Sequence, residues 1–372
     1  MLKENIKISS VIFILILFCS CKREESGKID NSESETIEAH YLKIKYYDDF
    51  SIVSIINPWD TTKFLANYIL IGDESEIPEE FKDFTPVHVP LQRGVVFSSV
   101  HSGAIAELGA SERIKGIVDA IYFKDEFIKE GLKKGEIVDL GNSNNPSIEK
   151  VIALNPDGIL LTLYDGFSSQ LDRPGMKLIK FVDNMEETPL GRAEWIKFIG
   201  RLVGKKEVSD SIFKSVSKEY NSLKNRASEY DCSPKIMAEN MYQGVWYVPG
   251  GNSYQARMIE DAGGAYIWGD DNSNGSLNLS FETVLDKAQY ADFWLLKLYG
   301  EELTKESLLA QDSRYRFFKC VDQGGVYYAN TERVNLFEEF PYHPEHLLKD
   351  YIIIFHPKTE TDTLRYFRKM VR

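Results

Sequence analysis

PSIEKVIALNPDGILLTLY (residues 146–164) and LSFETVLDKAQYADFWLLKLY (residues 279–299) are two versions of one local pattern. Both open on Ser-x-Glu-x-Val, with Ser147, Glu149 and Val151 in the first and Ser280, Glu282 and Val284 in the second. A serine hydroxyl at a helix start accepts a bond from an otherwise unpaired amide, and a carboxylate in the first turn suits the helix dipole. Each copy then passes through a short amphipathic helix to an aspartate, Asp157 or Asp292. An apolar strand follows, ending in Tyr164 or Tyr299. A strand apolar on both faces belongs inside a parallel sheet covered by helices. The pattern predicts a helix–strand unit of an α/β fold, and its recurrence predicts two similar lobes.

A second correspondence lies upstream of each copy. RGVVFSSVHSGAIAELGASERIKGI (93–117) reads as strand, serine turn, helix, Leu108-Gly109 stop and strand. VWYVPGGNSYQARMIEDAGGAYIW (245–268) reads as strand, glycine turn, helix, Gly263-Gly264 stop and a second apolar run. Between the lobes, residues 188–231 have helical periodicity, with Trp195, Phe198, Ile199 and Leu202 on one side. The expected architecture is α/β, with parallel-sheet lobes at 91–187 and 232–372 joined by one long helix. A small antiparallel addition is expected at 39–90, where LKIKYYDDFSIVSIINPW and FLANYILIG read as short strands.

The remaining composition narrows the function classes. A net charge of −13, with no basic stripe, argues against nucleic acid as a partner. At the N-terminus, Lys3 and Lys7 precede an apolar run from Val11 to Phe18 that has the length of a signal-peptide core. It runs into Phe18-Cys19-Ser20-Cys21, which resembles a bacterial lipobox. Residues 1–20 are read as a lipoprotein signal peptide, Cys21 as the lipidated residue, and 21–38 as a charged, flexible tether. Cys232 and Cys320 remain in the body, and sequence alone does not pair them.

In order along the chain, these segments resemble the periplasmic substrate-binding proteins of ABC importers for iron–siderophore, haem and cobalamin. The resemblance spans about Gly94 to Phe355. It is carried by Val95-Val96-Phe97-Ser98, Leu108-Gly109, Ile114–Val118, Asn155-Pro156-Asp157-Gly158-Ile159-Leu160, the Gly263-Gly264 stop and FPYHPEHLLKDYIIIFHP (340–357). It implies two lobes bridged by a helix, a ligand held between them, and a permease as partner. The same resemblance implies a monomer anchored in the bacterial envelope, facing the periplasm. Many such receptors carry one docking glutamate on each lobe. Here Glu107 is the nearest carboxylate in the first lobe. In the second the comparable position is Arg257, with Glu260 one turn later.

The chain has no HExxH, GxSxG or GxxxxGK[ST], so the corresponding hydrolase and nucleotidase chemistries lack their residues. No resident cofactor is expected. Aromatic residues instead gather near the strand ends where open α/β sheets bind ligands. Tyr122, Tyr164 and Phe167 in the first lobe, and Trp246, Tyr254, Trp268 and Tyr299 in the second, are candidate contacts for a planar ligand. His101, Arg173, Asn252, Ser253 and Arg333 are candidate polar contacts. Arg173 suits an anionic chelate through its forked donors. His343-Pro344-Glu345-His346 reads as a helix start or as half of a metal site. The expected function is capture of iron–siderophore or haem, with cobalamin as the same-class alternative. An enzyme of tetrapyrrole-chelatase type would need a His–Glu pair in the cleft, and His101 is the placed candidate. Replacing Cys21 by Ala is expected to abolish incorporation of radiolabelled fatty acid and release the protein from the membrane fraction.

Overall fold

The structure is a computed structural model describing residues 36–72, 76–163, 171–172, 175–357 and 362–371. Cys21, Tyr164, Phe167 and Arg173 lie outside the described residues. The chain opens with a four-stranded sheet of β1 (Leu42–Tyr46), β2 (Phe50–Ile56), β3 (Phe64–Ile71) and β4 (Thr85–His88), in that order. The first three strands are antiparallel, as the sequence suggests. β4 instead runs parallel to β3, which a tight hairpin could not connect.

The first lobe is built on β5 (Gly94–Val96), α1 (Ser99–Glu107), β6 (Ile114–Ile117), α2 (Glu126–Lys134) and β7 (Val138–Asp139). After a short hairpin of β8 (Gly141–Asn142) and β9 (Asn145–Pro146) come α3 (Ile148–Leu154), β10 (Gly158–Thr162) and β11 (Leu178–Phe181). Its sheet has the order β11-β10-β5-β6-β7 and is parallel throughout. The Asn-Pro-Asp segment does three jobs. Asn155 ends α3 in the left-handed conformation (φ 47°), Pro156 prevents continuation, and Asp157 accepts the amides of Gln92 (2.6 Å) and Arg93 (3.0 Å) at the start of β5.

Three helices form the bridge: α4 (Pro189–Ala193), α5 (Ile196–Leu202) and α6 (Lys206–Ala227). The last has 22 residues and is about 33 Å long at 1.5 Å per residue. The second lobe follows, with β12 (Lys235–Ala238), a hairpin of β13 (Met241–Tyr242) and β14 (Val245–Pro249), α7 (Tyr254–Asp261), β15 (Ala265–Tyr266) and β16 (Ser276–Leu279). It continues with α8 (Phe281–Ala288), β17 (Phe293–Leu298), α9 (Lys305–Gln311), α10 (Lys319–Gln323), β18 (Val326–Asn330), α11 (Leu336–Glu339), α12 (Pro344–Phe355) and β19 (Phe367–Lys369). Its sheet has the order β15-β12-β17-β18-β19, parallel except for β19.

The repeat has a common mechanical basis. Ser147 and Ser280 cap α3 and α8, and Asp292 accepts the amide of Lys235 at the start of β12 (2.9 Å), the task of Asp157 in the other lobe. The upstream correspondence needs one correction. β14 is not the counterpart of β5; that place belongs to β12. β14 lies in a separate antiparallel sheet between β13 and β16. Gln243 and Gly244, both at positive φ (48° and 84°), make the two-residue turn that inserts this hairpin.

Leu178 and Lys180 of edge strand β11 are bonded from outside its sheet. The Tyr68 hydroxyl of β3 donates to Leu178 O (3.0 Å) and accepts from Lys180 N (2.9 Å), joining the N-terminal sheet to the first lobe. Tyr68→Phe keeps the ring and unpairs both backbone groups, an expected loss of about 1–3 kcal/mol in urea unfolding.

Candidate ligand cleft and the seam between the lobes

Lys124, beyond the carboxyl end of β6, gives its ammonium to the carbonyls of Thr331 and, at 2.9 Å, of Val334 beyond the end of β18. The carboxyl ends of the two sheets therefore approach each other, as a ligand-holding cleft in this kind of fold requires. Several strand ends present exposed aromatic side chains. Tyr122 follows β6 and is 64% exposed, Tyr242 sits on the hairpin after β12 at 65%, and Tyr299 ends the β17 segment at 70%. Asp119 (φ 48°) and Glu239 (φ 62°) follow β6 and β12 in the left-handed region. This conformation costs a non-glycine residue about 1–3 kcal/mol and clusters at functional sites. Sequence reasoning missed both, since neither residue type announces its backbone angle.

Five candidate contacts are buried, which takes them off the cleft surface. His101 packs on Phe181 (4.1 Å between ring centres) and faces Asp183 at 3.4 Å. Trp246 sits in an aromatic cluster with Phe281, Trp294, Tyr315 and Phe318, its indole N–H on Ala238 O at 3.2 Å. Trp268 is buried edge-on against Tyr266. Ser253 caps α7 and also donates to Gly250 O (2.7 Å), and Tyr254 lies behind it under Phe340. Asn252 and Arg333 remain exposed, with the Asn252 amide on Asn272 O at 3.0 Å. The glycine turn before Ser253 has a backbone reason. A Cβ at Gly250 would meet the carbonyls of Ser273 and Gly275, and one at Gly251 those of Asp271 and Trp268. Those glycines admit the 268–275 loop, with Gly250 N bonded to Gly275 O at 2.8 Å.

The lobes also meet through a buried polar node. Arg192 on α4 donates to Asp183 (3.1 Å) and to the Tyr254 hydroxyl (2.5 Å), with its guanidinium 4.8 Å from the Tyr254 ring centre and 5.4 Å from that of Phe340. Burial opposes ionisation of Asp183, but Arg192 and His101 outweigh it and hold its pKa at about 2.

A cavity of about 540 Å³ opens between residues of the two lobes. Its walls are α1 and Phe123–Glu126 from the first lobe, with Asn335, Glu338, Glu339, His343, His346 and Arg365 from the second. Among the described residues, five acidic side chains and a single aromatic ring, Phe123, line it. Glu107 is exposed, and its carboxylate accepts from His343 Nε2 of the second lobe at 2.7 Å. Burial works against a charge on His343, but its hydrogen bonds to the Glu107 and Glu345 carboxylates prevail and raise its pKa to about 10. Arg257 and Glu260 form an exposed pair on α7 (3.4 Å). Cys232 and Cys320 are both free thiols. Cys320 is buried, which pushes its pKa up to about 12.

Two parallel-sheet lobes on a helical bridge, with facing strand ends, define a two-lobe solute-binding architecture. The chain belongs to the periplasmic binding protein family, whose model matches residues 95–331. The match begins at Val95, so the N-terminal four-stranded sheet lies outside it. An uncharacterised lipoprotein of Methanocaldococcus jannaschii is 28% identical over 85% of this chain and 84% of its own length. Among solved structures, a periplasmic haem-binding protein from Pseudomonas aeruginosa has a TM-score of 0.59 at 16% identity, covering 76% of this chain and 99% of its own. The vitamin B12-binding protein BtuF of Vibrio cholerae has a TM-score of 0.53 at 13% identity, covering 73% and 99%.

Arg192→Ala leaves Asp183 buried without its cation, and the expected destabilisation is about 3–5 kcal/mol by denaturant unfolding at pH 7. The depressed Asp183 pKa contributes stability above the ordinary value of 3.8 and loses it between there and about 2. As pH falls through that window the wild type loses this contribution, and its advantage over the variant is expected to shrink.

Proposed function

We propose that this protein is the lipid-anchored solute-binding component of an ABC importer and captures a metal chelate between its lobes. The observation that carries the reading is the set of exposed tyrosines, Tyr122, Tyr242 and Tyr299, at the carboxyl ends of strands in both lobes. Unburied rings in such places suit a large planar or amphipathic ligand. Haem and vitamin B12, bound by proteins of similar fold, are ligands of this kind. Iron–siderophore or haem is the first choice, and a corrinoid such as cobalamin is the alternative.

In this reading Tyr122 and Tyr299 stack on the ligand, with Asn252 and Arg333 as exposed polar contacts and Tyr164, Phe167 and Arg173 completing the first-lobe side. The bridge restrains closure to a small motion. Arg257 and Glu260 offer a charged surface on α7 for the permease, and the protein acts as a monomer. Lipid on Cys21 holds it to the membrane on the periplasmic side; among the described residues no helix is long and apolar enough to cross a bilayer.

Absorbance titration of the purified protein with haem, a ferric siderophore and cyanocobalamin tests the reading. One of them is expected to bind, without turnover. Tyr122→Ala and Tyr299→Ala are each expected to weaken it about tenfold, equivalent to about 1.4 kcal/mol. Failure of all three to bind, together with metal-dependent conversion of a free tetrapyrrole, would instead support a chelatase, whose His–Glu pairing is found at His343 and not at His101.

A further inference from the structure

His343 and His346 stand three residues apart at the start of α12, with Glu345 between them and Pro344 fixing the first helical position. The two imidazole rings stack at 5.1 Å, 11° from parallel. His343 Nδ1 lies 2.8 Å from Glu345 Oε1, and His346 Nε2 lies 3.6 Å from the same oxygen. One donor atom from each of the three residues falls within 4.8 Å of the other two. A tetrahedral zinc ion holds nitrogen and oxygen donors about 3.4 Å apart, so small side-chain adjustments suffice to close the set.

Two further observations separate this group from an ordinary helix start. His343 makes no capping bond, and Glu345, only 6% exposed, has an Oε2 with no hydrogen-bond partner. A buried carboxylate oxygen left unpaired is costly, and a cation beside it would remove that cost. The second observation is Glu107. A metal-bound histidine usually gives its other ring N–H to a carboxylate, which fixes the ring and raises its basicity. His343 presents Nδ1 to Glu345 and Nε2 to Glu107 at 2.7 Å, the latter from the opposite lobe.

We propose that His343, Glu345 and His346 bind a divalent transition-metal ion of the zinc type at the lobe seam, with Glu107 as a positioning residue. Two imidazoles and one carboxylate suit zinc and not magnesium or calcium, and three protein ligands leave a coordination position for water or a small anion. The ion is separate from any metal inside a captured chelate, and the proposal stands whether or not the chelate reading does. Because Glu107 belongs to α1, occupancy also ties the first lobe to the second.

Calorimetric titration of the full chain in detergent with zinc chloride alone tests this, in the absence of any chelate. One equivalent is expected to bind, while magnesium chloride gives no binding. His346→Ala is expected to lower zinc affinity about a hundredfold or more, with His343→Gln as the second variant should the first misfold by circular dichroism. Glu107→Gln is expected to lower affinity about 10–100-fold at unchanged stoichiometry. Cobalt(II) is expected to give ligand-field bands without thiolate charge transfer, which separates this site from the Cys232–His356 contact at 3.6 Å. Absence of a zinc equivalent overturns the proposal. So does wild-type affinity in both folded histidine variants, or loss of binding in Cys232→Ser with both histidines intact.

Discussion

Arg192 lies buried where the bridge begins, held by Asp183 of the first lobe and by the hydroxyl and ring of Tyr254 in the second. A guanidinium in that position must keep its partners, because stripping one away leaves a charge in an apolar interior. Relative motion of the lobes is thereby limited to rearrangements that preserve this node. The Lys124 ammonium adds a second tie, spending its donors on two second-lobe carbonyls. The long α6 lends stiffness, but these polar contacts set where the strand ends of the two sheets meet.

The surfaces at those ends divide by chemistry. Tyrosines are left exposed at separate strand ends, while carboxylates and histidines of both lobes line the cavity between them. Among the described residues, five acidic side chains outnumber Lys124, Arg365 and a protonated His343 and give that cavity an excess of negative charge. An anionic ligand would find little favour there, whereas a cation would. The exposed tyrosines and the acidic cavity are thus different parts of the same interlobe region, and α1 lines the cavity with Ser99, Ser102 and Glu107.

The fold was readable where local rules and burial agreed. The Ser147 and Ser280 caps, the Asp157 and Asp292 strand starts, and the amphipathic bridge are all short-range features, and they recur in the structure. The strand Val245–Pro249 misled because an apolar run does not say which sheet it joins; the Gln243-Gly244 turn, which diverts it into a hairpin, depends on two positive φ values. The site was less legible. His101 and Trp268 follow strands in sequence and Trp246 lies within one, but all three turn inward, since ring direction depends on packing partners far along the chain. His343 was visible as a motif, but its link to Glu107 spans 236 positions. Glu194 carried a weak signal, as a carboxylate four residues before Phe198 on the apolar side of the bridge.

That carboxylate and Glu186 have a consequence for how the molecule is held. Glu194 accepts the amides of Ile37, Glu38 and Ala39, and Glu186 accepts those of His40 and Tyr41, with Trp195 Nε1 as a further donor to Glu186. Five successive backbone amides are thus moored to two buried acids at the start of the bridge. Tension applied from the N-terminal side runs into this mooring and on into the helical bridge before it reaches either sheet. A pull on that side would load the helical bridge first and leave the parallel sheets of the two lobes unstrained.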